Sequence, residues 1–245
     1  MLELAKTYDV CRSGEPKLTV VFLHGIASSS ASFAGLFEHL IVDRTTCEMR
    51  LVAFDLLGSG KSYTSDTLEY NYDEQLEALK NAIDKLHVQG PLVIVGHSMG
   101  TMIATRFASQ HKNLVKGLVL ISAPVYREED IKNPMFEKAM IGFREVVGAK
   151  SRELLESKAF NNEIKNIVSD VNNYNYLLKL DIPTIIIYGE LDQIIASFNL
   201  PELVKQNPHI QLSRTVGAHG VTVDKYNKIT SALKTYLRKG KNETL

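Results

Sequence analysis

The chain has 245 residues, of which 44% are hydrophobic and 23% are charged, a composition typical of a globular protein with one large core. Its 28 basic residues balance its 28 acidic ones, so the formal net charge is zero. This balance argues against the function classes that depend on an overall electric field, such as binding to nucleic acid, to an anionic membrane or to a highly charged substrate.

The first residues, MLELAKTYDV, include acidic side chains where a secretory signal peptide needs a basic and then an apolar run. No stretch approaches the roughly 18 apolar residues of a membrane span. Cys11 and Cys47 lie outside any metal-binding or redox spacing and are interpreted as free thiols. The pattern Asn242-Glu243-Thr244 resembles a glycosylation acceptor and is interpreted as coincidental. We expect a soluble, cytoplasmic protein without a membrane span.

Short apolar runs alternate with segments of helical spacing along the chain. Residues 2–10 alternate between polar and apolar side chains, which predicts an edge strand. Runs rich in aliphatic residues predict buried strands at 18–23, 49–54, 92–95, 118–121, 184–188 and 210–214. Helical spacing predicts helices at 28–41, 71–87, 99–111 and 222–237. This alternation indicates an α/β fold with a mostly parallel sheet covered on both faces, whose ligand site lies beyond the carboxyl ends of the strands.

One interval interrupts the alternation. Between residues 126 and 180 we find no strand pattern, only charged, helix-favouring stretches with spaced apolar residues such as Phe143 and Leu154. We predict an insertion of two to four short helices that forms a lid over the site and shapes an apolar pocket. The domain organisation is then a core in two parts, 1–125 and 181–245, with a lid at 126–180.

The segment PLVIVGHSMGTMIATRFASQH, residues 91–111, predicts a strand, a tight turn and a helix, with Ser98 at the apex of the turn. The pattern Gly96-x-Ser98-x-Gly100 is expected where a serine sits on a strained turn, because side chains at the two glycines would collide with the backbone. The start of the following helix supplies free N–H groups. Ser98 is therefore a candidate nucleophile.

A serine hydroxyl needs a base within hydrogen-bonding distance. Of the seven histidines, His219 lies in the loop Gly217-Ala218-His219-Gly220 after the last strand, at the correct end of the sheet. His24 and His97 adjoin the site, but we interpret each of them as bound within its own turn. The remaining four lie in or beside helices or at the start of a strand, at His39, His87, His111 and His209. We predict that His219 is the base.

The base in turn needs an orienting acid, and the loop after the strand at 184–188 contains two candidates, Glu190 and Asp192. We favour Asp192, which lies further into the loop, and keep Glu190 as the alternative. The chain order is then Ser98, Asp192, His219. For the oxyanion hole, the backbone N–H groups of Ile26 and Met99 are the candidates, because both follow directly on strand ends that reach the site.

The segment Gly58-Ser59-Gly60-Lys61-Ser62 resembles the end of a phosphate-binding loop, but Asp55 occupies the position of the first glycine. A carboxylate at this position would repel phosphate. We therefore expect no nucleotide site here, and no pattern in the sequence indicates a metal ion or another cofactor.

These motifs together resemble the α/β-hydrolase superfamily. The resemblance rests on His24-Gly25, Asp55-x-x-Gly58-x-Gly60-x-Ser62, Gly96-x-Ser98-x-Gly100, Asp192 and His219, which occur in the expected order over about residues 18–237. It implies an eight-stranded, or seven-stranded, mostly parallel sheet, a lid, no cofactor and acyl-enzyme chemistry. The pattern of motifs is similar to that of small bacterial carboxylesterases. Two departures are the absence of tryptophan and the segment Ser122-Ala123-Pro124, which lacks the acid that some relatives have there.

We therefore predict a serine hydrolase that acts on a small to medium, largely uncharged carboxylic ester. A thioesterase or a carbon–carbon bond hydrolase would use the same three residues, and a small-molecule binding protein of the same fold is the alternative outside the enzymes. The expected partner is the small-molecule substrate rather than nucleic acid, and an apolar lid surface could hold a homodimer.

Overall fold

Seven strands form one sheet in the computed structural model, which describes residues 2–170 and 172–242. In chain order they are β1 (Lys6–Cys11), β2 (Leu18–Leu23), β3 (Met49–Phe54), β4 (Leu92–His97), β5 (Val115–Ile121), β6 (Thr184–Gly189) and β7 (Ile210–Thr215). Their order across the sheet is β1-β3-β2-β4-β5-β6-β7. Only β1 is antiparallel to its neighbour, β3, so the carboxyl ends of the other six strands share one edge.

The sheet confirms the predicted mostly parallel architecture, with the smaller of the two expected strand numbers. The bounds of β2 and β3 coincide with the predicted runs at 18–23 and 49–54. β5 begins three residues before the predicted strand, because Val115 pairs with Leu92 across the sheet although Lys116 is polar and exposed. Pairing with the neighbouring strand thus extends β5 beyond the apolar run that the local pattern predicts.

Ten α-helices flank the strands within the described ranges. They are α1 (Ala34–Val42), α2 (Tyr72–Lys85), α3 (Met99–Gln110), α4 (Glu128–Ile131), α5 (Pro134–Lys150), α6 (Arg152–Glu156), α7 (Lys158–Glu163), α8 (Asn173–Leu178), α9 (Leu200–Gln206) and α10 (Val223–Asn242). No helix in the described part of the chain is long and apolar enough to span a membrane. Helix α9, whose first turn contains Pro201, was not predicted from the sequence.

The helices cover both faces of the sheet, as the uninterrupted apolar strands require. On one face α1 and α10 pack against alternate residues of the strands, such as Val20 and Phe22. On the other face α2, α3 and the helices from the second half of the chain pack against Val21 and Leu23. Both faces of the central strands are therefore shielded from water. Polar residues lie at the carboxyl edge that the parallel strands share.

Five of the helices, α4 to α8, lie in the segment between β5 and β6, which we call the helical insertion (126–180). The prediction of two to four short helices was wrong in number and in length, because α5 alone has 17 residues. The breaks arise from serine caps: Ser151 accepts a hydrogen bond from Leu154 N–H, and Ser157 accepts one from Phe160 N–H. A π-helical turn at Ile164–Val168 follows α7.

The two ends of the helical insertion are held together at a neck, formed by Pro124 and Arg127 on one side and Asn173 and Tyr174 on the other. The amide of Asn173 donates a hydrogen bond to Pro124 O at 2.6 Å. Arg127 Nη2 donates to the Tyr174 hydroxyl at 3.0 Å, and its guanidinium lies 4.6 Å from the centre of that ring. The entry and the exit of the insertion are therefore adjacent in space.

Glu163, at the end of α7, is a buried carboxyl that accepts a hydrogen bond from the amide of Gln75 at 3.4 Å. Burial raises the pKa of Glu163 to about 8. Between the ordinary pKa of 4.5 and about 8, the folded protein holds a proton that the unfolded chain has released. The free energy of unfolding must therefore fall as the pH rises through this interval.

We expect Glu163→Gln, which keeps the shape without the ionisable group, to be more stable than the unchanged protein by about 2–4 kcal/mol at pH 9 and by little at pH 5. Urea unfolding of both proteins at the two pH values measures the difference. Glu145→Gln, at an exposed position of α5, is the matched control and should show no pH-dependent gain. A gain for Glu163→Gln of the same size at pH 5 and pH 9 would contradict the assignment.

Candidate active site

Ser98 lies between the end of β4 and the start of α3, with φ 51° and ψ −121°. Positive φ is costly for a residue with a side chain and persists only where the surroundings enforce it. The two glycines of the motif provide the space: a Cβ at Gly96 would lie 2.6 Å from Gly100 O, and one at Gly100 would lie 2.6 Å from His24 O. The turn holds the Ser98 side chain at the carboxyl edge of the sheet.

The structure brings Ser98, His219 and Asp192 together from three different loops. Nε2 of His219 lies 2.9 Å from Ser98 Oγ. Nδ1 of His219 lies 3.0 Å and 3.1 Å from the two carboxylate oxygens of Asp192. Because an ionised carboxylate only accepts hydrogen bonds, Nδ1 bears the proton of the neutral ring, and Nε2 is free to accept from the serine. A hydroxyl, a base and an acid thus form one continuous chain of hydrogen bonds.

The side chain of Asp192 is fully buried beneath the imidazole of His219. Burial alone would raise the pKa of Asp192, but the hydrogen bond and the charge of His219 outweigh it, together with the N–H of Ile194, and the pKa lies below its usual value. The carboxyl is therefore ionised at neutral pH. Glu190, the alternative acid, points elsewhere and forms an ion pair with Arg214 at 2.8 Å.

Gly25, the residue before Ile26, packs directly against the serine turn, because a Cβ at Gly25 would lie 3.0 Å from Ser98 Cβ. Met99 is the first residue of α3, so its N–H is one of those that a helix start leaves without an intrahelical partner. In the described part of the chain, neither the Ile26 N–H nor the Met99 N–H donates any of the hydrogen bonds found. The position of the two groups as an oxyanion hole stays a prediction.

The other two histidines near the site have different roles. His24 is bound only partly within its own turn: Leu56 N–H, from the loop after β3, donates to its Nε2 at 2.9 Å, so Nδ1–H donates to Gly25 O at 2.7 Å. His97 instead reaches outside its own turn, which corrects the sequence interpretation. Its Nε2 lies 2.8 Å from the backbone oxygen of His219. Burial, with the charge of His219, lowers the pKa of His97 to about 3, so the ring is neutral and donates to that oxygen.

The phosphate-loop-like segment after β3 closes around its own carboxylate. Asp55 accepts hydrogen bonds from Ser30 N–H and Oγ at 2.8 Å and 2.6 Å and from Lys61 N–H at 2.8 Å. Burial alone would raise the pKa of Asp55, but these bonds hold it below the usual range. The donors that would bind a phosphate are occupied, and Asp55 links the loops that follow β2 and β3.

Sequence reasoning missed one residue at the site, Lys225 in the first turn of α10. Its Nζ donates to Ala218 O at 2.5 Å and to Gly220 O at 2.9 Å, on either side of His219. A signal was available, because Lys225 precedes the buried Ile229 and Leu233 by four and eight residues and so falls on the apolar stripe of the helix. A charged residue on such a stripe needs a specific reason to be there.

Comparison with known proteins places these features in context. A family model described as alpha/beta hydrolase fold matches residues 19–163, more than half of the chain. The probable lysophospholipase BODYGUARD 4 of Arabidopsis thaliana is 33% identical over 113 residues, which are 46% of this chain and 26% of that protein. The sn-1-specific diacylglycerol lipase ABHD11 of Danio rerio is 35% identical over 115 residues, 47% of this chain and 34% of the relative. The matched segment thus spans about a quarter to a third of these relatives.

Solved structures resemble the chain over nearly its whole length. A putative lipase (lip1) from Acinetobacter baumannii superposes with a TM-score of 0.71 at 20% sequence identity, covering 99% of this chain and 93% of the other. At such low identity the likeness establishes the fold, and the chemistry has to be argued from the residues at the carboxyl edge of the sheet.

Proposed function

Since the chain belongs to the α/β-hydrolase family, we propose that it is a serine hydrolase that cleaves a small to medium, largely uncharged carboxylic ester through an acyl-enzyme on Ser98. The observation that supports this most directly is the position of one imidazole between a hydroxyl and a buried carboxylate, 2.9 Å from Ser98 Oγ and 3.0 Å from Asp192. Such an arrangement activates an otherwise weak nucleophile at neutral pH.

In the first half of the reaction, Ser98 Oγ attacks the ester carbonyl carbon while its proton passes to Nε2 of His219. The imidazole becomes a cation, and the ionised Asp192 below it stabilises that charge and keeps the ring oriented. His219 then donates the proton to the leaving alcohol. The products of this half are the free alcohol and the acyl group bound to Ser98.

The negative oxygen of the tetrahedral intermediate needs preorganised donors. The N–H groups of Ile26 and Met99 serve this purpose in the proposal, supported by the closeness of Gly25 to Ser98 and by the place of Met99 at the start of α3. One such donor contributes about 2.7–4 kcal/mol to transition-state stabilisation in other enzymes. In the second half, His219 takes a proton from water as the water oxygen attacks the acyl carbon. The bond from that carbon to Ser98 Oγ then breaks, His219 returns the proton to Oγ, and the acid is released.

The apolar side chains of the helical insertion favour the proposal of an apolar, uncharged substrate. Its side chains pack on the same hydrophobic core as the helix that follows Ser98, among them Phe143, Leu154, Leu155, Ile164 and Val168. A lid with such an inner surface would exclude water and favour hydrocarbon groups. The zero formal net charge of the chain gives no long-range attraction to an ionic substrate.

The test is labelling of the protein with a fluorophosphonate probe, mapping of the labelled residue, and hydrolysis of p-nitrophenyl esters of increasing acyl length. We expect one label on Ser98, turnover with short and medium esters, and a fall in kcat/KM once the acyl chain exceeds the pocket. His219→Ala is the control and should lose both labelling and turnover.

Labelling at a residue other than Ser98, or no labelling and no turnover, would overturn the proposal. In that case the alternative of a binding protein would be tested by the affinity of the unlabelled protein for ester analogues, which a pure binder retains in Ser98→Ala.

A further inference from the structure

Three consecutive backbone carbonyls around His219 each accept a hydrogen bond from a side chain, two from a buried lysine and one from a partly buried histidine. Lys225 Nζ donates to Ala218 O and Gly220 O, and His97 Nε2 donates to His219 O. The loop that contains the proposed base is thereby held from two sides, by α10 and by the end of β4. Surface loops rarely have such internal support for every carbonyl of a three-residue stretch.

Lys225 is the unusual member of this arrangement, because its side chain is completely buried. Removing an ammonium group from water is costly unless hydrogen bonds and opposite charges compensate for it. A leucine at this position would pack on the core as well as Ile229 and Leu233 do, without that cost. The two hydrogen bonds to the His219 loop are the benefit that an apolar residue could not provide.

The charged groups that face the ammonium come from several elements. Asp224 on the same helix lies 3.8 Å away, and the carboxylate of Asp192 approaches from the loop after β6. Burial lowers the pKa of Lys225, and these two carboxylates oppose that effect. His97 at the end of β4 and His219 itself complete the surroundings, and burial, together with the charge of Lys225, helps to hold the pKa of His97 below its usual value.

We propose that Lys225 is a positioning residue for the hydrolytic reaction, which holds the imidazole of His219 towards Ser98 by fixing the carbonyls on both sides of it. The inference rests on the proposed function. A displacement of about 1 Å at a reacting group can cost about 100-fold in rate, so a loop that supplies the base gains from rigid support.

The test compares Lys225→Met, which keeps the side-chain length without the ammonium, with Lys228→Met on the exposed side of the same helix. For Lys225→Met we expect kcat to fall by about 10–100-fold, a KM within about threefold of the original, and an equal fall in the rate of fluorophosphonate labelling. Lys228→Met should match the unchanged protein in all three quantities.

The low-field NMR signal of the Nδ1 proton of His219 separates a positioning role from a merely structural one. A loop that no longer holds the imidazole in place weakens the hydrogen bond from Nδ1 to Asp192, so this signal should broaden in Lys225→Met. A structural defect elsewhere would lower the activity and leave the signal unchanged. Lys225→Gln keeps a donor without the charge, so we expect a smaller broadening of the signal with a smaller loss of kcat.

An unchanged signal in Lys225→Met, whatever its kcat/KM, overturns the inference and leaves the proposed function intact. If Lys225→Met does not fold, Lys225→Gln is judged by the same signal, and failure of both variants to fold overturns the positioning role. If the unchanged protein is neither labelled nor active, the proposed function fails instead. The low-field NMR signal of the Nδ1 proton of His219 then decides, because it should broaden in Lys225→Gln, and an unchanged signal overturns the inference.

Discussion

The Ser98→Ala variant is expected to lose about 10⁶-fold in kcat on p-nitrophenyl esters, with its thermal unfolding temperature nearly unchanged. The loss is large because no other hydroxyl forms a hydrogen bond with His219 Nε2 among the described residues. Alanine can adopt the backbone conformation of Ser98, because both side chains have the Cβ atom that makes a positive φ costly and neither is branched at it. Steady-state kinetics and a thermal melt of the two proteins measure the two effects.

The control for this prediction is non-additivity. In the proposed mechanism Ser98 and His219 act as one unit, so Ser98→Ala with His219→Ala should be no less active than Ser98→Ala alone. Residual activity of Ser98→Ala above about one thousandth of the original would mean that another nucleophile exists, and the proposed mechanism would be wrong.

Asp192→Asn is expected to lower kcat by about 10⁴-fold while the fold is retained. An asparagine amide can donate to Nδ1 of His219, which moves the ring proton to Nε2 and prevents it from accepting the serine proton. The imidazolium also loses the negative charge beneath it. Because the pKa of Asp192 lies below its usual range, ionisation of this carboxyl does not limit the activity of the unchanged protein near neutral pH.

Glu190→Gln is the matched control, two residues earlier in the same loop. Its carboxylate pairs with Arg214 at the surface, so we expect kcat within about threefold of the original. Kinetics of both variants with one ester suffice for the comparison. An equal loss in Glu190→Gln and Asp192→Asn would show that the loop as a whole is required and that Asp192 has no special role.

The sheet was predictable because its strands are continuous apolar runs. The segments LTVVFL and MRLVAF, β2 and β3, each lie between two other strands and are buried on both faces, so the local pattern and the tertiary environment agree. The meeting of Ser98, Asp192 and His219 followed from the same reasoning, since each comes directly after the carboxyl end of a parallel strand. The choice of Asp192 over Glu190 depended only on which of the two residues lies further into the loop.

What the sequence did not reveal depends on long-range contacts. The first strand, predicted at 2–10, begins only at Lys6, where pairing with Phe54 on β3 starts. The role of His97 could not be read from its neighbours, because its partner, the backbone oxygen of His219, is 122 residues away. Lys225 falls on the apolar stripe of its helix but has the charged side chain of a surface residue. Only its hydrogen bonds to the loop around His219 explain why a lysine lies there.

The neck that joins the two ends of the helical insertion lets this segment vary in length without moving β5 or β6. Because Pro124 O and the Asn173 amide are 2.6 Å apart, the intervening segment starts and finishes at one point, and its length places no tension on β5 or β6. A shorter or longer insertion that keeps the neck and the side chains buried in the core, such as Phe160 and Ile167, is therefore compatible with the same strand positions.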